Sequence, residues 1–143
     1  MKIKKYTELP KEAIHIRNEV FVKEQGFIDE FDSIDNISTH LVLFQGDLPL
    51  ATCRYYWNKE KNSYYIGRIA VVKDYRGKGL GRQILREAEI QITNLGGSIV
   101  YLSAQLEADR FYKNQGYITT GDIYYDEDCP HICMYKKLGK LHI

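Results

Sequence analysis

The segment over residues 66–81 constrains this chain most, because an apolar strand pattern leads there into a basic, glycine-rich loop and then an amphipathic helix. Glycines let backbone N–H groups come close to an anion, and the N-terminus of the following helix adds a favourable dipole. The segment therefore predicts a strand, loop and helix that together hold a pyrophosphate. The alternative is a basic loop that only turns the chain. The loop residues are Arg76, Gly77, Lys78, Gly79, Leu80 and Gly81.

Two common phosphate-binding motifs do not fit this loop. A P-loop needs the string G-x-x-x-x-G-K-[ST], which does not occur in the sequence. A dinucleotide-binding loop reads G-x-G-x-x-G and usually lies in the first βα turn, whereas the glycines here follow G-x-G-x-G in mid-chain. A nucleotide-binding protein of another fold is therefore an alternative that these residues disfavour.

Length and charge narrow the class of protein further. The chain has 143 residues, enough for one domain with a core, so we expect a single domain over residues 1–143. A net charge of +1 lacks the basic excess of a nucleic-acid-binding protein. No stretch is long enough for a membrane span, residues 1–5 lack the apolar core of a signal peptide, and the three cysteines have no framework spacing. We expect a cytoplasmic protein with reduced thiols and with neither a nucleic-acid nor a membrane partner.

Hydrophobic periodicity predicts the element order β-α-β-β-β-α-β-α-β-β. The expected strands cover residues 2–6, 40–45, 49–57, 64–72, 98–103, 117–125 and 130–138, and the expected helices cover residues 10–25, 80–95 and 105–114. Strands separated by helices tend to pair in parallel, and hairpin-linked strands pair antiparallel. We therefore expect an α/β (α+β) fold whose mixed, mostly antiparallel sheet of six to seven strands is flanked by helices.

The loop over residues 76–81 resembles the R/Q-x-x-G-x-G/A signature of the GNAT superfamily, the acetyl-CoA-dependent N-acyltransferases. The predicted element order is similar to the GNAT fold over essentially the whole chain. The resemblance implies that residues 76–81 bind the pyrophosphate of coenzyme A. It also implies that the sheet splays near the cofactor, so that backbone groups of Ile69, Ala70 and Val71 contact acetyl-CoA.

Four further segments resemble one GNAT subgroup, the ElaA-like acyltransferases. They are residues 16–25, the residues Asp32, Asp35 and His40, residues 103–105 together with 111–117, and residues 125–134. The last segment departs from the subgroup pattern, since Asp126-Glu127 stands where Glu-Asp is usual and Asp128 where glycine is usual. The two carboxylates of the pattern remain. The local turn, however, must form with an aspartate at the position where glycine is usual.

Chemistry in this family needs a proton donor for the leaving thiolate, and the resemblance assigns that role to Tyr112, with Phe111 beside it at the cofactor. The alternative for Tyr112 is a tyrosine of the core. A base must also take a proton from the attacking ammonium. The candidates are Glu24, His40, Asp126, Glu127, His131 and a water beside Arg68, and of these we select Glu24 and His131. A surface carboxylate and a histidine bonded to backbone are the corresponding structural alternatives.

The acceptor site is expected to include Glu24, Arg68, His40 and Gln105. Arg68 cannot act as a base and is expected to orient a carboxylate or the substrate. For His40 the favoured structural role is an anchor that holds the acidic loop over residues 26–38. The carboxylates of that loop are expected to be solvated, and the alternative is that they attract a cationic amine.

These observations predict an acyltransferase that moves an acetyl group from acetyl-CoA to a primary amine of a small molecule by direct attack in a ternary complex. We expect no metal, because Cys129, His131 and Cys133 alternate along a strand without a zinc-site spacing. The alternatives are a non-catalytic acyl-CoA-binding regulatory module and a protein or peptide N-acetyltransferase. A homodimer is possible, with the aromatic residues over 117–135 as a contact region.

Overall fold

Alternation of apolar residues along the chain produces one mixed sheet of seven strands within residues 1–139, the part that the computed structural model describes. The strands are β1 (Lys2–Tyr6), β2 (Thr39–Gln45), β3 (Leu48–Asn58), β4 (Ser63–Val71), β5 (Ile99–Gln105), β6 (Ile118–Asp126) and β7 (Cys129–Lys137). The helices are α1 (Lys11–Arg17), α2 (Leu80–Asn94) and α3 (Asp109–Asn114). Short 3-10 turns cover Ser33–Ile37, Lys73–Tyr75 and Leu106–Ala108.

The strands lie in the order β1-β2-β3-β4-β5-β7-β6. The β4–β5 pair is parallel, because α2 connects these two strands, and every other neighbouring pair is antiparallel. The predicted mixed, mostly antiparallel sheet of six to seven strands is therefore confirmed.

Helices cover both faces of the sheet. Leu41 and Leu43 of β2 belong to the core cluster that contains Ile84 of α2. Val42, between them, belongs to a second cluster that contains Ile16 of α1. Because successive side chains of a strand point to opposite faces, these two clusters lie on the two sides of one sheet.

The first predicted helix is regular only in its first half. The α-helix α1 continues as a π-helix over Asn18–Glu24, in which the Gln25 N–H donates to the Val20 carbonyl at 3.1 Å. Apolar periodicity indicated a helix correctly but does not distinguish i→i+4 from i→i+5 hydrogen bonds. The wider turns end the helix beside the splayed part of the sheet.

A bulge and a splay interrupt the sheet at its centre. Gly67 of β4 pairs with Arg54 of β3, and Ala70 pairs with Thr52, so Arg68 and its successor face a single residue of β3. The Arg68 backbone has a φ of 52°, in the left-handed region. Strands β4 and β5 are paired only at Tyr64–Val100 and Tyr65–Tyr101.

Beyond this pairing the two parallel strands diverge, as the family resemblance implied. The later part of β4 has no β5 partner in the described sheet, so backbone groups on that side are free to bind a ligand.

Candidate active site

A groove of about 570 Å³ lies where the strands diverge, between the end of β4, the loop over residues 76–79 and α3. Its walls contain most of the residues assigned to the cofactor. They are Ile69, Ala70, Val71, Arg76, Gly77, Gly79, Leu80, Gly81, Phe111 and Tyr112. The structure thus brings these ten residues together.

Glycines at the mouth of the groove hold a conformation that other residues rarely adopt. Gly77 and Gly79 both have a φ of 78°, and α2 begins directly after Gly79. The first four N–H groups of a helix have no acceptor within it, so the groove ends at a set of free donors. A phosphate group fits these donors and the partial positive charge of the helix N-terminus.

The third glycine of the loop has a packing role. A Cβ at Gly81 would lie 3.4 Å from the Phe111 ring and 3.7 Å from the Val71 side chain. The absence of a side chain at Gly81 therefore lets α2 approach α3 and the end of β4, which closes the inner end of the groove.

The two cations of the loop, Arg76 and Lys78, each contact another side chain of the protein. Arg76 donates two hydrogen bonds to the Glu24 carboxylate, at 2.5 and 2.7 Å, and a third to the Val71 carbonyl at 3.0 Å. The Lys78 ammonium lies over the Tyr75 ring, 4.9 Å from its centre, and Lys78 does not line the groove.

Arg82 does line the groove, and the sequence analysis missed it. The signal was present, since Arg82 lies in the first turn of the helix that follows the predicted phosphate-binding loop.

Because its carboxylate is paired with Arg76, Glu24 is unsuited to the role of general base. The hydrogen bond from Arg76 is the main reason why the pKa of Glu24 lies below its ordinary value. The Glu24 carboxylate does not line the cavity in which an acceptor would meet the thioester, described below. We therefore withdraw its assignment as base and as acceptor ligand, because a paired carboxylate of low pKa binds protons weakly.

Tyr112 lies at the inner end of the groove, where a second and smaller cavity begins. Its side chain lines both spaces, as do Gln25, Ile69 and Ala108. Burial raises the pKa of the Tyr112 hydroxyl above its ordinary value. The hydroxyl therefore stays protonated at neutral pH, on a residue that lines both spaces.

The smaller cavity has a volume of about 180 Å³ and extends from Tyr112 towards the β6–β7 turn. Its apolar lining residues are Phe21, Phe27, Ile66, Ile69, Leu102, Ala108 and Tyr112, and its polar or charged ones include Gln25, Asp29, Glu30, Arg68, Ser103, Gln105, Asp126, Glu127 and His131. Three predicted site residues, Arg68, Gln105 and His131, thus come together here. Gln105 donates a hydrogen bond to the Gln25 amide oxygen at 2.8 Å, which joins β5 to the end of the π-helix.

His131 has the geometry of a base that faces this cavity. Its ring is 7% exposed, and its Nδ1 lies 2.9 Å from the Cys129 carbonyl oxygen. A carbonyl only accepts, so Nδ1 carries the hydrogen and Nε2 of the neutral ring carries a lone pair. The backbone bond that was the structural alternative for His131 is present, and it sets the tautomer that a base requires.

His40 lies elsewhere. Its ring is 1% exposed, its Nε2 lies 3.0 Å from the Asp35 carbonyl oxygen, and it does not line the cavity. The predicted anchor role for the acidic loop is confirmed by this contact. The assignment of His40 to acceptor binding gains no support, because the residue is buried and does not line the cavity.

Two carboxylates of the acidic loop, Glu30 and Asp35, are buried rather than solvated, which corrects the prediction for them, whereas Asp29 and Asp32 are exposed. Arg17 of α1 is 1% exposed and donates to Glu30 at 2.8 Å and to Asp35 at 2.7 Å. Arg54 of β3 donates to Asp35 at 2.8 Å and to Asp32 at 2.6 Å. Although burial acts to raise it, hydrogen bonds from both arginines hold the pKa of Asp35 at about 2.

Arg68 extends this ion-pair network to the cavity. Its contacts with two carboxylates agree with the expectation that Arg68 orients a carboxylate. It lies 2.9 Å from the Glu30 carboxylate and 3.3 Å from that of Asp32, and it donates to the Glu30 carbonyl at 3.0 Å. The acidic loop therefore holds the residue on which the bulge of β4 is centred.

Glu127 closes the cavity from the β6–β7 turn, a contact that the sequence analysis did not foresee. Its carboxylate accepts the N–H groups of Ile28 at 2.7 Å and Asp29 at 3.0 Å, and these bonds lower its pKa. Glu127 and Asp128 have φ values of 48° and 64°. The turn thus adopts a left-handed conformation without the glycine usual in the ElaA-like pattern.

Residues 1–139 contain neither a membrane-spanning helix nor a cluster of metal-ligating side chains. No helix between residues 1 and 139 is both long and apolar enough to cross a membrane. Within the same range, no three histidine, cysteine, aspartate or glutamate side chains cluster as metal ligands, and Cys129, His131 and Cys133 form no such group.

The sequence is similar to a known domain family and to known proteins described as acetyltransferases. A model of the acetyltransferase (GNAT) domain matches residues 8–138. The protein described as "Uncharacterized N-acetyltransferase YjcF" of Bacillus subtilis (strain 168) is 35% identical over 137 residues, which are 94% of this chain and 96% of that protein.

Two solved structures extend the likeness to the fold. The crystal structure of Escherichia coli ElaA has a TM-score of 0.85 at 25% identity and covers 95% of this chain and 99% of its own. An acyl-CoA N-acyltransferase from Pseudomonas aeruginosa has a TM-score of 0.82 at 28% identity, with 94% and 97% covered. These likenesses span the groove and the cavity alike.

Proposed function

Because the chain belongs to the acetyltransferase (GNAT) domain family, we propose that it transfers an acetyl group from acetyl-CoA to the primary amine of a small molecule. The observation that carries this proposal is the junction at Tyr112, where a groove suited to a phosphorylated cofactor opens into a separate cavity. A donor and an acceptor can then be bound at the same time, as direct attack requires.

In this proposal acetyl-CoA supplies an activated acetyl thioester, and the groove orients it. The N–H groups of residues 77–82 bind the pyrophosphate, and Arg82 adds positive charge. Residues Ile69, Ala70 and Val71 have no β5 partner in the described sheet, so their backbone groups can bind the acyl end, except the Val71 carbonyl, which accepts a hydrogen bond from Arg76. The ion-pair network around Arg68 keeps the bulge in place, so the donor groups need no rearrangement.

His131 Nε2 takes a proton from the acceptor ammonium, directly or through a water molecule. The amine nitrogen then bonds to the acetyl carbon while the carbon–sulfur bond breaks. The Tyr112 hydroxyl donates a hydrogen bond, and then a proton, to the leaving thiolate. The second proton lost by the nitrogen returns to Tyr112, and His131 releases the first proton to solvent, so the enzyme is restored.

The size of the cavity favours a small acceptor over a protein. About 180 Å³ is less than the roughly 300–1,000 Å³ of pockets that enclose drug-sized ligands. Self-association stays a prediction, for which the exposed Ile118, Ile123 and Tyr125 of β6, an edge strand in the described sheet, offer a contact region.

The experiment that tests the proposal is a thermal-shift titration with acetyl-CoA, run beside a thiol-release assay over a panel of amines. A ligand that binds the native state raises the melting temperature. We expect stabilisation by acetyl-CoA together with amine-dependent thiol release. Stabilisation without release from any amine would indicate a non-catalytic acyl-CoA-binding module, and neither effect at millimolar acetyl-CoA would contradict the groove assignment.

A further inference from the structure

The cavity is acidic. Carboxylates of Asp29, Glu30, Asp126 and Glu127 line it, and Arg68 is the only lysine or arginine to do so within residues 1–139. Arg68 is already engaged by Glu30 and by Asp32 outside the cavity. The charge that an acceptor meets is therefore negative.

The four carboxylates differ in what they already bind. Glu30 is paired with Arg17 and Arg68, and Glu127 accepts two backbone N–H groups. Asp29 and Asp126 are exposed, and no lysine or arginine of the described chain lies at ion-pair distance from either. These two side chains at the open end can bind a cationic ligand without losing an existing partner.

The inner end of the cavity has a different character. Phe27 and Leu102 contribute apolar walls between the open end and Tyr112. His131, more than nine-tenths buried, bonds through Nδ1 to the Cys129 carbonyl. Its Nε2 has no hydrogen-bond partner in the described chain and is not enclosed, so this nitrogen remains free for a ligand in the cavity.

We propose that the acceptor is a short alkyl diamine, in which an apolar spacer separates the reactive amine from a second amine that is protonated at neutral pH. This inference rests on the proposed function, because it assigns the acceptor of the same site. The reactive amine lies at His131 and Tyr112, the spacer contacts the apolar walls, and the second ammonium binds Asp29 and Asp126. An acceptor with a carboxylate at that end meets like charge and binds more weakly.

The test compares three five-carbon amines that differ only at the far end: 1,5-diaminopentane, n-pentylamine and 5-aminopentanoate. Two exposed ion pairs with carboxylates predict a kcat/KM about tenfold higher for the diamine than for n-pentylamine. 5-Aminopentanoate is expected to be the poorest substrate. Equal rates for the diamine and n-pentylamine, or a preference for 5-aminopentanoate, would overturn the inference and leave the acetyltransferase assignment intact.

A double variant, Asp29→Asn with Asp126→Asn, locates the effect. It is expected to reduce the diamine-to-pentylamine ratio to within about twofold. Asp122→Asn is the matched control, since Asp122 is exposed on the same strand as Asp126 but does not line the cavity, and it should preserve the ratio. A preserved ratio in the double variant would also overturn the inference.

Binding measured by calorimetry in the presence of CoA separates the inference from the proposed function. We expect 1,5-diaminopentane to bind about tenfold more tightly than n-pentylamine to the wild-type complex. Tight diamine binding without thiol release would support the inference and contradict the catalytic proposal. Absence of diamine binding would overturn the inference, whatever the thiol-release assay shows.

Discussion

The groove and the cavity meet at Tyr112, yet the chain forms them by different means. Most of the groove wall comes from one continuous stretch over residues 69–82, and its binding groups are backbone N–H groups at glycines and a helix N-terminus. The cavity is lined by side chains from the π-helix, the acidic loop and strands β4 to β7, held by ion pairs. In the proposed function, backbone geometry therefore binds acetyl-CoA, whereas side chains bind the acceptor.

The first prediction tests whether buried ion pairs hold the cavity in place. Arg17→Met leaves Glu30 and Asp35 without their buried partner, and removing one member of a buried ion pair costs about 3–5 kcal/mol. Urea unfolding should show a loss of that size. Lys23→Met, which removes an exposed ion pair with Glu19, is the control and should cost less than about 0.5 kcal/mol. A small loss for Arg17→Met would mean that the network does not hold the cavity.

The second prediction concerns the junction. Tyr112→Phe removes the hydroxyl and is expected to lower kcat about 100-fold, since positioned proton donors contribute on the order of 10²–10⁴. The thermal shift produced by acetyl-CoA should remain. Tyr75→Phe makes the same change in a residue that lines the groove but not the cavity, and its kcat should stay within about twofold of wild type. Equal activity of the two variants would remove Tyr112 from the chemistry.

The third prediction uses the pH dependence of the buried network. The pKa of Asp35 is about 2 in the folded protein against an ordinary value of 3.8. A lowered folded pKa stabilises the protein above the unfolded value, so about 2 kcal/mol should be lost as pH falls from about 4 through about 2.

Unfolding by urea between pH 5 and pH 2 measures this loss. Asp35→Asn should be less stable at neutral pH but lose less on acidification, because its amide does not titrate. An equal acid-induced loss in the variant and the wild type would assign the effect to other carboxyl groups.

The fourth prediction concerns the backbone conformation of the glycine-rich loop that lines the groove. Gly79→Ala places a side chain at a φ of 78°, where the surrounding space is open, so the cost is conformational and amounts to about 1 kcal/mol. The KM for acetyl-CoA should rise about fivefold while the KM for the amine stays constant.

Gly46→Ala is the control for Gly79→Ala, because Gly46 has a φ of 60° and open space in the β2–β3 turn. It should lower stability to a similar extent and leave both KM values unchanged. A rise in the KM for acetyl-CoA in this variant would show that the effect of Gly79→Ala is not local to the groove.

The smallest expected effect is that of Glu24→Gln. Since Glu24 pairs with Arg76 and does not line the cavity, kcat should stay within about twofold of wild type. Steady-state assays with saturating amine measure this, with Glu19→Gln as the control for an exposed carboxylate of the same helix. A loss of about 100-fold would return Glu24 to the role of general base.

These contrasts explain what the sequence could predict. The groove was predictable because a strand, positive-φ glycines and a helix N-terminus follow one another within residues 66–81. The apolar stripe of α2 and the alternation in β2 likewise set the layers of the fold. Each of these signals depends on neighbours in the chain.

The cavity was only partly predictable, because its residues acquire their roles from distant partners. Glu30 and Asp35 were expected to be solvated, as isolated carboxylates of a loop usually are. Their burial depends on Arg17 and Arg54, which come from a helix and a strand that the local sequence does not connect with the loop. Glu127 accepts hydrogen bonds from the N–H groups of Ile28 and the next residue, although Ile28 lies 99 positions earlier in the chain. Hydrophobic periodicity does not predict such a contact.

The most direct test of the central claim is a crystal structure of the protein with CoA. The account predicts the pyrophosphate at the N–H groups of residues 77–82 and the sulfur at hydrogen-bond distance, about 3.5 Å, from the Tyr112 hydroxyl, with the cavity open beside it. A pyrophosphate bound elsewhere, or a sulfur far from Tyr112, would contradict the claim that groove and cavity meet at the reacting atoms.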